Sequence, residues 1–366
     1  MGGIPITRIE TLSGGRFNRD RVGYANILST DGIEDRILQD GDILMSHINS
    51  PQFLGRAVMY QAKPDDCFIH GMNLLCLRAD RQKIDPAYAA VYFQTQTFKR
   101  QVNKIAKKSV NQASFSTTSL KDLTIPICSL RNQREFADRF AGISILMDGC
   151  RNQLSALDDL VKSQFVEMFG GDRNPVIRAS EVLTNFRNGV SPSKMGKVHS
   201  DVLTLSSITR GRFDAAARKD GTFEEMPQAD KRVSSRDFYI CRGNGNKKLV
   251  GVAAFAEEDH PDLVFPDTMI AVTVNDSMVC QSYLAYEWAQ PNVRRQIESK
   301  ARTTNGTFKI NQKTIAGVQI PLPPLEEQIK FADFVARVDK LGFDCCREIV
   351  CCGVLFSSMS ASLLCT

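Results

Sequence analysis

From Phe136 onward the apolar positions fall at Phe136, Phe140, Ile143, Met147, Cys150, Leu154, Leu157 and Val161, then at polar Gln164 and apolar Met168. Spacings that alternate four and three over about four heptads describe a coiled-coil seam, not the wider stripe of a helix lying on a globular core. Such a helix needs a helical partner. Pro126 and Ser129 break the chain and cap ahead of it, and Gly170-Gly171 with Pro175 beyond ends it. A second helix is predicted from Pro324, with Glu326 and Glu327 in the first turn, where the macrodipole favours anions, and Phe331, Val335 and Val338 on its apolar side. Its pattern departs after about Leu341. Gly342 stands where the first helix has Met147, and Gly353 and serines replace the charged Asp158, Asp159, Lys162 and Glu167. The expectation is an abnormal tail, of the kind a frameshift produces, that pairs weakly.

Ahead of each helix the pattern changes to short strands and polar loops. DGDILMSHI (40–48) and RDFYICRG (236–243) are matched strand candidates, and 250–255 and 263–274 add β-branched and aromatic runs bounded by Gly, Pro and Asp. Helical stretches are predicted over 87–103 and 282–300. Each block reads as α+β, mostly antiparallel.

The two blocks are copies at a constant offset of 195. DLTIPICSLRNQREFADRFA (122–141) aligns with GVQIPLPPLEEQIKFADFVA (317–336) without a gap, and the same offset pairs Leu38 with Val233, Asp42 with Asp237, Tyr88 with Tyr283, Gln101 with Gln296 and Gln133 with Gln328. A period this long excludes solenoids and propellers, whose repeats run to roughly 20–50 residues. The predicted organisation is a first domain over 1–126, a first helix over 127–170, a second domain over 171–322 and a second helix over 323–366. The first copy lacks a counterpart to about 174–201, so the chain is expected to begin inside its first domain.

The 366 residues suffice for two or three domains, and 43% hydrophobic with 24% charged residues is ordinary for a globular chain. The start MGGIPITRIE lacks the apolar stretch of a secretory signal. The uncharged run 349–366 falls short of the roughly 20 apolar residues that span a bilayer. A cytoplasmic location with no membrane partner is expected, and the 11 cysteines should stay reduced there. Five of them crowd into 345–366 with no histidine nearby, which is not the spacing of a zinc site. Charge is divided by block. Residues 1–126 carry 16 basic against 12 acidic side chains and residues 171–322 carry 21 against 17, while 127–170 (5 against 6) and 323–366 (4 against 6) carry no excess. Positive charge in both copies and in neither helix points to a polyanionic partner.

Candidate catalytic chemistry is sparse. No G-x4-G-K-[ST] string occurs, and Gly243-Asn244-Gly245 lacks the third glycine of a dinucleotide site. Asp85-Pro86-Ala87-Tyr88 is similar to the target-amine tetrapeptide of amino-methyltransferases, but its repeat counterpart, Cys280-Gln281-Ser282-Tyr283, keeps only the tyrosine. The pattern therefore reads as a helix start, with Asp85 as cap and Pro86 at the first position. His47, His70, His199 and His260 have no metal-ligand spacing, and no Ser/His/Asp set can be nominated. Neither a catalytic centre nor a metal is expected.

IPLPPLEEQ (320–328) followed by Phe331-Ala332 and a heptad helix, its degenerate copy IPICSLRNQ (125–133), and the TTNGTFKIN loop (303–311) resemble the DNA-specificity (S) subunits of type I restriction-modification enzymes. The resemblance implies two pseudo-repeated target-recognition domains, each reading half of a bipartite site in double-stranded DNA, and two helices that pair as an antiparallel coiled coil. It further implies a non-catalytic subunit. Methyltransferase (modification) subunits would supply the S-adenosylmethionine chemistry, and endonuclease/translocase (restriction) subunits would use ATP and magnesium. Helix pairing and subunit docking would fall to Phe136, Phe140, Ile143, Met147, Leu154, Leu157, Val161, Met168, Phe331, Val335 and Val338.

DNA contacts are expected from basic and amide side chains in loops, because phosphates need cations and base edges need hydrogen-bonding partners. The candidates after one strand of the second copy are Arg242, Asn244, Asn246, Lys247 and Lys248, matched in the first by His47, Asn49, Ser50, Gln52 and Arg56. Arg210, Arg212, Arg218 and Lys219 match Arg16, Arg19 and Arg21 more loosely. Nearer the helices, Arg302, Thr303, Thr304 and Asn305 match Lys107, Lys108, Ser109 and Asn111. Two alternatives stay open: a stand-alone methyltransferase or restriction enzyme with a fused specificity region, and a coiled-coil adaptor with no DNA role. The missing cofactor motifs count against the first, and the block charges against the second.

Overall fold

In each half of the chain, alternation along one strand divides the hydrophobic residues between two cores. The computed structural model describes residues 2–109, 111–171, 173–193, 195–304 and 306–362, with side chains as far as residue 354 apart from Thr304. The chain forms two units, Met1–Gln153 with Asp344–Thr366, and Leu154–Phe343.

In the first unit Ile43–Ser46 is the central strand of an antiparallel sheet, between Ala57–Met59 and Leu74–Leu77. Successive side chains of a strand point to opposite faces. Ile43 and Met45 therefore pack with Tyr88, Tyr92, Phe98 and Val102, while Leu44 packs with Leu12, Tyr60 and Phe68. The first group of partners lies on helices α1 (Pro86–Tyr92) and α2 (Gln96–Ile105). The sequence pattern over 87–103 predicts one stretch, but Thr95 is extended and its hydroxyl accepts the Phe98 N–H, so the helix restarts there. As the sequence reading requires, Asp85 caps α1, accepting the Ala87 and Tyr88 N–H groups at 2.9 and 3.3 Å. Helix α3 (Thr117–Lys121) completes the unit ahead of α4 (Leu130–Phe169).

The second unit repeats this plan and extends it. Asp237–Cys241 is again the buried central strand, between Ala253–Phe255 and Met269–Val274, and here Leu183–Asn188 pairs with the outer edge. Phe238 and Ile240 face a core containing Tyr283, Trp288 and Val293, and Tyr239 and Cys241 face Leu203, Leu263 and Phe265. A second sheet joins Arg218–Phe223, Val198–Leu203, His260–Val264 and Arg232–Val233; its 201–202 to 263–264 pairing is parallel, within an otherwise antiparallel scheme. Helices α5 (Gln281–Trp288), α6 (Pro291–Lys300) and α7 (Gln312–Ala316) lead to α8 (Leu325–Ser362). Here Pro291, at the first position of α6, marks the break in the predicted 282–300 stretch.

The repeated residues do the same work in both units. The Tyr88 hydroxyl donates to the Pro126 carbonyl at 2.8 Å, and Tyr283 does so to Pro321 at 2.8 Å. Gln133 accepts the Asp85 N–H and donates to the Lys83 and Cys128 carbonyls; Gln328 accepts the Cys280 N–H and donates to Met278 and Pro323. Both glutamines are fully buried. An unpaired buried amide is costly, so each bond set fixes the first turn of a long helix against its own unit.

The long helices run antiparallel. In the second unit Phe165 and Phe169 of α4 pack on Phe331 of α8, and a side chain on Gly342 would meet Leu154 at 3.5 Å. In the first, the Cys345 thiol donates to Gln153 at 3.3 Å and the Cys150 thiol to Glu348 at 3.2 Å. One expectation changes. The seam passes from Val161 to Phe165 and Phe169, which are buried, rather than to Gln164 and Met168, which are half-buried. After Leu341 α8 continues to Ser362, with Gly342 against Leu154 and Leu157 and Cys352 buried. Among its described aliphatic residues Leu341, Val350 and Val354 stay exposed.

Candidate nucleic-acid interface

Each unit carries a small antiparallel sheet that collects most of the candidate residues. In the first, Ile48–Asn49 pairs with Ala113–Ser114, which pairs with Lys107–Lys108. In the second, Gly243–Asn244 pairs with Thr307–Lys309, which pairs with Arg302–Thr304. Segments distant in sequence are thus brought together twice in the same way. A short strand leaving the central sheet, at Ile48 or Gly243, meets a hairpin that follows α2 or α6.

In the second unit the cations are presented along strand edges and one turn. Arg302 and Lys309 are cross-strand neighbours, and both are exposed. Gly243 is also opposite Lys309; a Cβ there would lie 3.3 Å from its Cγ, so the missing side chain leaves room for the lysine stem. After Asn244 the chain turns. The Asn244 amide oxygen accepts the Asn246 N–H at 2.9 Å, and the Asn246 oxygen accepts the Lys248 N–H at 3.0 Å, which holds Lys247 and Lys248 outward and exposed. Both asparagines spend their oxygens on the turn. Arg242 is half-buried and donates to the Asp267 carbonyl at 3.2 Å. Thr303 is exposed beside Phe308, the backbone of Thr304 continues the strand, and Asn305 lies outside the described residues. The sequence reading missed Lys309; its alternation with Phe308 in TTNGTFKIN was the available signal.

The first unit places a less basic set on the same frame. Lys107, Lys108, Ser109 and Asn111 are exposed along the hairpin, where the Ser109 hydroxyl donates to the Gln112 carbonyl at 3.0 Å. Asn49 accepts the Ser50 N–H at 2.8 Å, Gln52 is exposed, and the Arg56 guanidinium lies 4.3 Å over the Phe53 ring. His47 is half-buried, with Nδ1 unpartnered; desolvation, with repulsion from His70, pushes its pKa below the ordinary imidazole value. It is neutral at pH 7.

Four of the looser candidates are tied into structure elsewhere. Arg19 is held by Asp66 and the Gln61 carbonyl beside Phe17 and Tyr60, in the core on the Leu44 side. Arg16 pairs with Asp148 of α4 at 2.7 Å. Arg218 pairs with Asp201 at 3.3 Å, and Lys219 follows it, in register with Val202 on the second sheet. Arg21, Arg210 and Arg212 are exposed in loops. Among the described residues no group of three or more His, Cys, Asp or Glu side chains is placed to hold a metal, and no helix is long and apolar enough to cross a membrane. What the two platforms offer is hydrogen bonding and positive charge.

Comparison with known proteins points the same way. Residues 239–347 match the family described as type I restriction modification DNA specificity domain. The chain is 27% identical over 362 residues to a protein named as the type I restriction enzyme MjaX specificity subunit of Methanocaldococcus jannaschii, covering 93% of this chain and 81% of the relative. It is 22% identical over 357 residues to the type I restriction enzyme StySPI specificity subunit of Salmonella potsdam, covering 92% and 75%. The crystal structure of the type I restriction-modification system S subunit from M. genitalium has the same fold, with a TM-score of 0.52 at 14% identity over 90% of this chain and 84% of that one.

Proposed function

We infer that this chain, which belongs with the specificity subunits of type I restriction-modification enzymes, is the DNA-recognition subunit of such a complex and is itself non-catalytic. The observation that carries the reading is the duplicated platform: one small sheet, built at the same 195-residue offset in both units, exposes Lys107 and Lys108 in one and Arg302 and Lys309 in the other, with Lys247 and Lys248 exposed on the turn that follows Asn244. Phosphate contacts of this kind position a duplex, and neighbouring amides and hydroxyls read base edges. Two unlike platforms suit a bipartite, asymmetric site. The paired helices α4 and α8 would carry modification subunits, which use S-adenosylmethionine, and restriction subunits, which use ATP and magnesium.

A mobility-shift and footprinting assay of the chain with and without modification subunits tests this. One protected site in two separated halves is expected, along with no methyl transfer by the chain alone. Specific methylation by the isolated chain, or the absence of any sequence-dependent shift in the complex, would defeat it.

A further inference from the structure

The turn that carries Lys247 and Lys248 is held from behind by side chains that the repeat does not share. Lys247–Leu249 is a short 3-10 turn capped by Asn246; both lysines are exposed, and Val250 and Gly251 after them are buried. Arg294 of α6 donates from Nη2 to the Lys248 carbonyl at 3.0 Å and to the Val250 carbonyl at 2.7 Å, and Glu298 pairs with the same nitrogen at 3.4 Å. The Trp288 indole N–H donates to the Gly251 carbonyl at 2.9 Å. Gly251 is left-handed, at φ 75°, and a Cβ there would lie 3.3 Å from Arg294 Nη1, so the glycine leaves the guanidinium its place. The Arg294 side chain is 15% exposed and Trp288 1%. Two side chains that are nearly out of solvent thus hold three carbonyls of a turn whose lysines face it.

The first unit builds the same turn by other means. Pro51–Phe53 is again a 3-10 turn, and Gly55, at φ 74°, packs on Val102 of α2 as Gly251 packs on Ile297 of α6. Its first position is proline, which fixes φ covalently, and the Ser46 hydroxyl donates to the Phe53 carbonyl at 2.8 Å. Lys99 and Phe93 stand 195 residues before Arg294 and Trp288; Lys99 is exposed, and phenylalanine has no N–H to donate. With lysine in the place of that proline, the second turn lacks the covalent constraint, and α5 and α6 supply one through side chains.

We propose that Arg294, backed by Trp288, is a positioning residue for DNA binding: it acts through the turn and holds Lys247 and Lys248 where they meet phosphates. Cations already ordered in the free protein lose less freedom when a duplex arrives, so more of their electrostatic gain appears as affinity. The inference rests on the DNA-recognition reading and adds to it a residue that never touches DNA.

A double-mutant cycle in the assembled complex is the test, with DNA affinity measured against salt and amide exchange followed over 247–252. Arg294→Met keeps the packed stem and removes the donors. It should weaken binding to all sequences about tenfold at about 0.15 M salt, lower the slope of log K against log salt by about 1, and speed exchange over 248–252. In a chain already carrying Lys247→Ala and Lys248→Ala it should change affinity less than about twofold, because no lysine is left to position. Arg294→Lys, a milder change that returns the charge and a donor, should recover part of the affinity and obey the same cycle, which keeps the test open if the methionine variant fails to fold. Equal losses in both backgrounds would make Arg294 a purely structural or a directly contacting residue and overturn the proposal. So would an unchanged slope in both Arg294 variants while the lysine pair still lowers it. If the lysine pair itself leaves the slope unchanged although Arg294→Met speeds exchange, this platform does not bind phosphates, and the underlying reading falls together with the proposal.

Discussion

Two buried polar residues show what single side chains do here. Gln328 accepts the Cys280 N–H and donates to the Met278 and Pro323 carbonyls, tying the first turn of α8 to the segment ahead of α5. Gln328→Leu should therefore cost about 3 kcal/mol or more in a urea titration, well above an ordinary surface change. Glu287 on α5 is the opposite case, a carboxyl whose burial pushes its pKa up to about 7 against an opposing hydrogen bond from Asn292. An unfolded carboxyl titrates near ~4.3, so the folded state holds the proton more tightly, and the stability this gives is complete below about pH 4 and lost as pH rises through 7. Glu287→Gln keeps an acceptor for Asn292 and removes the charge. It should stabilise the second unit by roughly 2 kcal/mol at pH 8 and scarcely at pH 4, read from urea midpoints at the two pH values; equal effects at both would reject the burial account. The repeat made Gln133 and Gln328 visible in the sequence. Their role was not, because their partners include backbone groups 48 and 50 residues away.

At the scale of elements, Asp85-Pro86 placed the cap of α1 and the family resemblance implied antiparallel helices, while the apolar spacing located both long helices. It failed where geometry drifts from the heptad. A straight α-helix turns about 20° per heptad away from a 3.5-residue repeat, so a seam followed at strict four-three spacing slips onto the neighbouring residue. That is why Phe165 and Phe169, and not Gln164 and Met168, are buried against Phe331. Phe165→Ala should cost about 3–5 kcal/mol through cavity formation, and Gln164→Ala less than about 0.5 kcal/mol. Thermal or urea unfolding of the two variants checks the register; a reversed order would restore the heptad reading. The tail of α8 keeps a helical course although its charge pattern departs from that of α4. Charge on a helix face reports solubility, while the helix itself persists on backbone bonds, with Cys352 buried and Gly342 set close against Leu154 and Leu157.

For the whole molecule, charge divided by block was legible at once, but which cations share a platform was not, because strand pairing brings 242–248 beside 302–309. Arg19 and Arg218 look alike in sequence to Lys247 and Lys248, yet carboxylates hold the first two and not the second pair among the described contacts. In the assembled complex, Lys247→Ala with Lys248→Ala should weaken binding to all DNA sequences and lower the slope of log K against log salt by about 2. Asn244→Ala should instead relax preference in one half-site, by roughly 1–3 kcal/mol for a lost base contact, and leave the other half-site unchanged. Binding across a randomised site separates these outcomes; equal loss in both halves would refute the division between units. The glutamine clamp has a further consequence for how such a chain can change in length. By bonding three backbone groups from inside its own unit, Gln133 fixes the azimuth of α4 at its first turn. One residue inserted beyond it would swing the seam through about 100°, whereas seven would return it to within about 20°. The helix is keyed like a shaft in a slot, and only segments close to a whole number of turns can be added to it or removed without turning its seam away from α8.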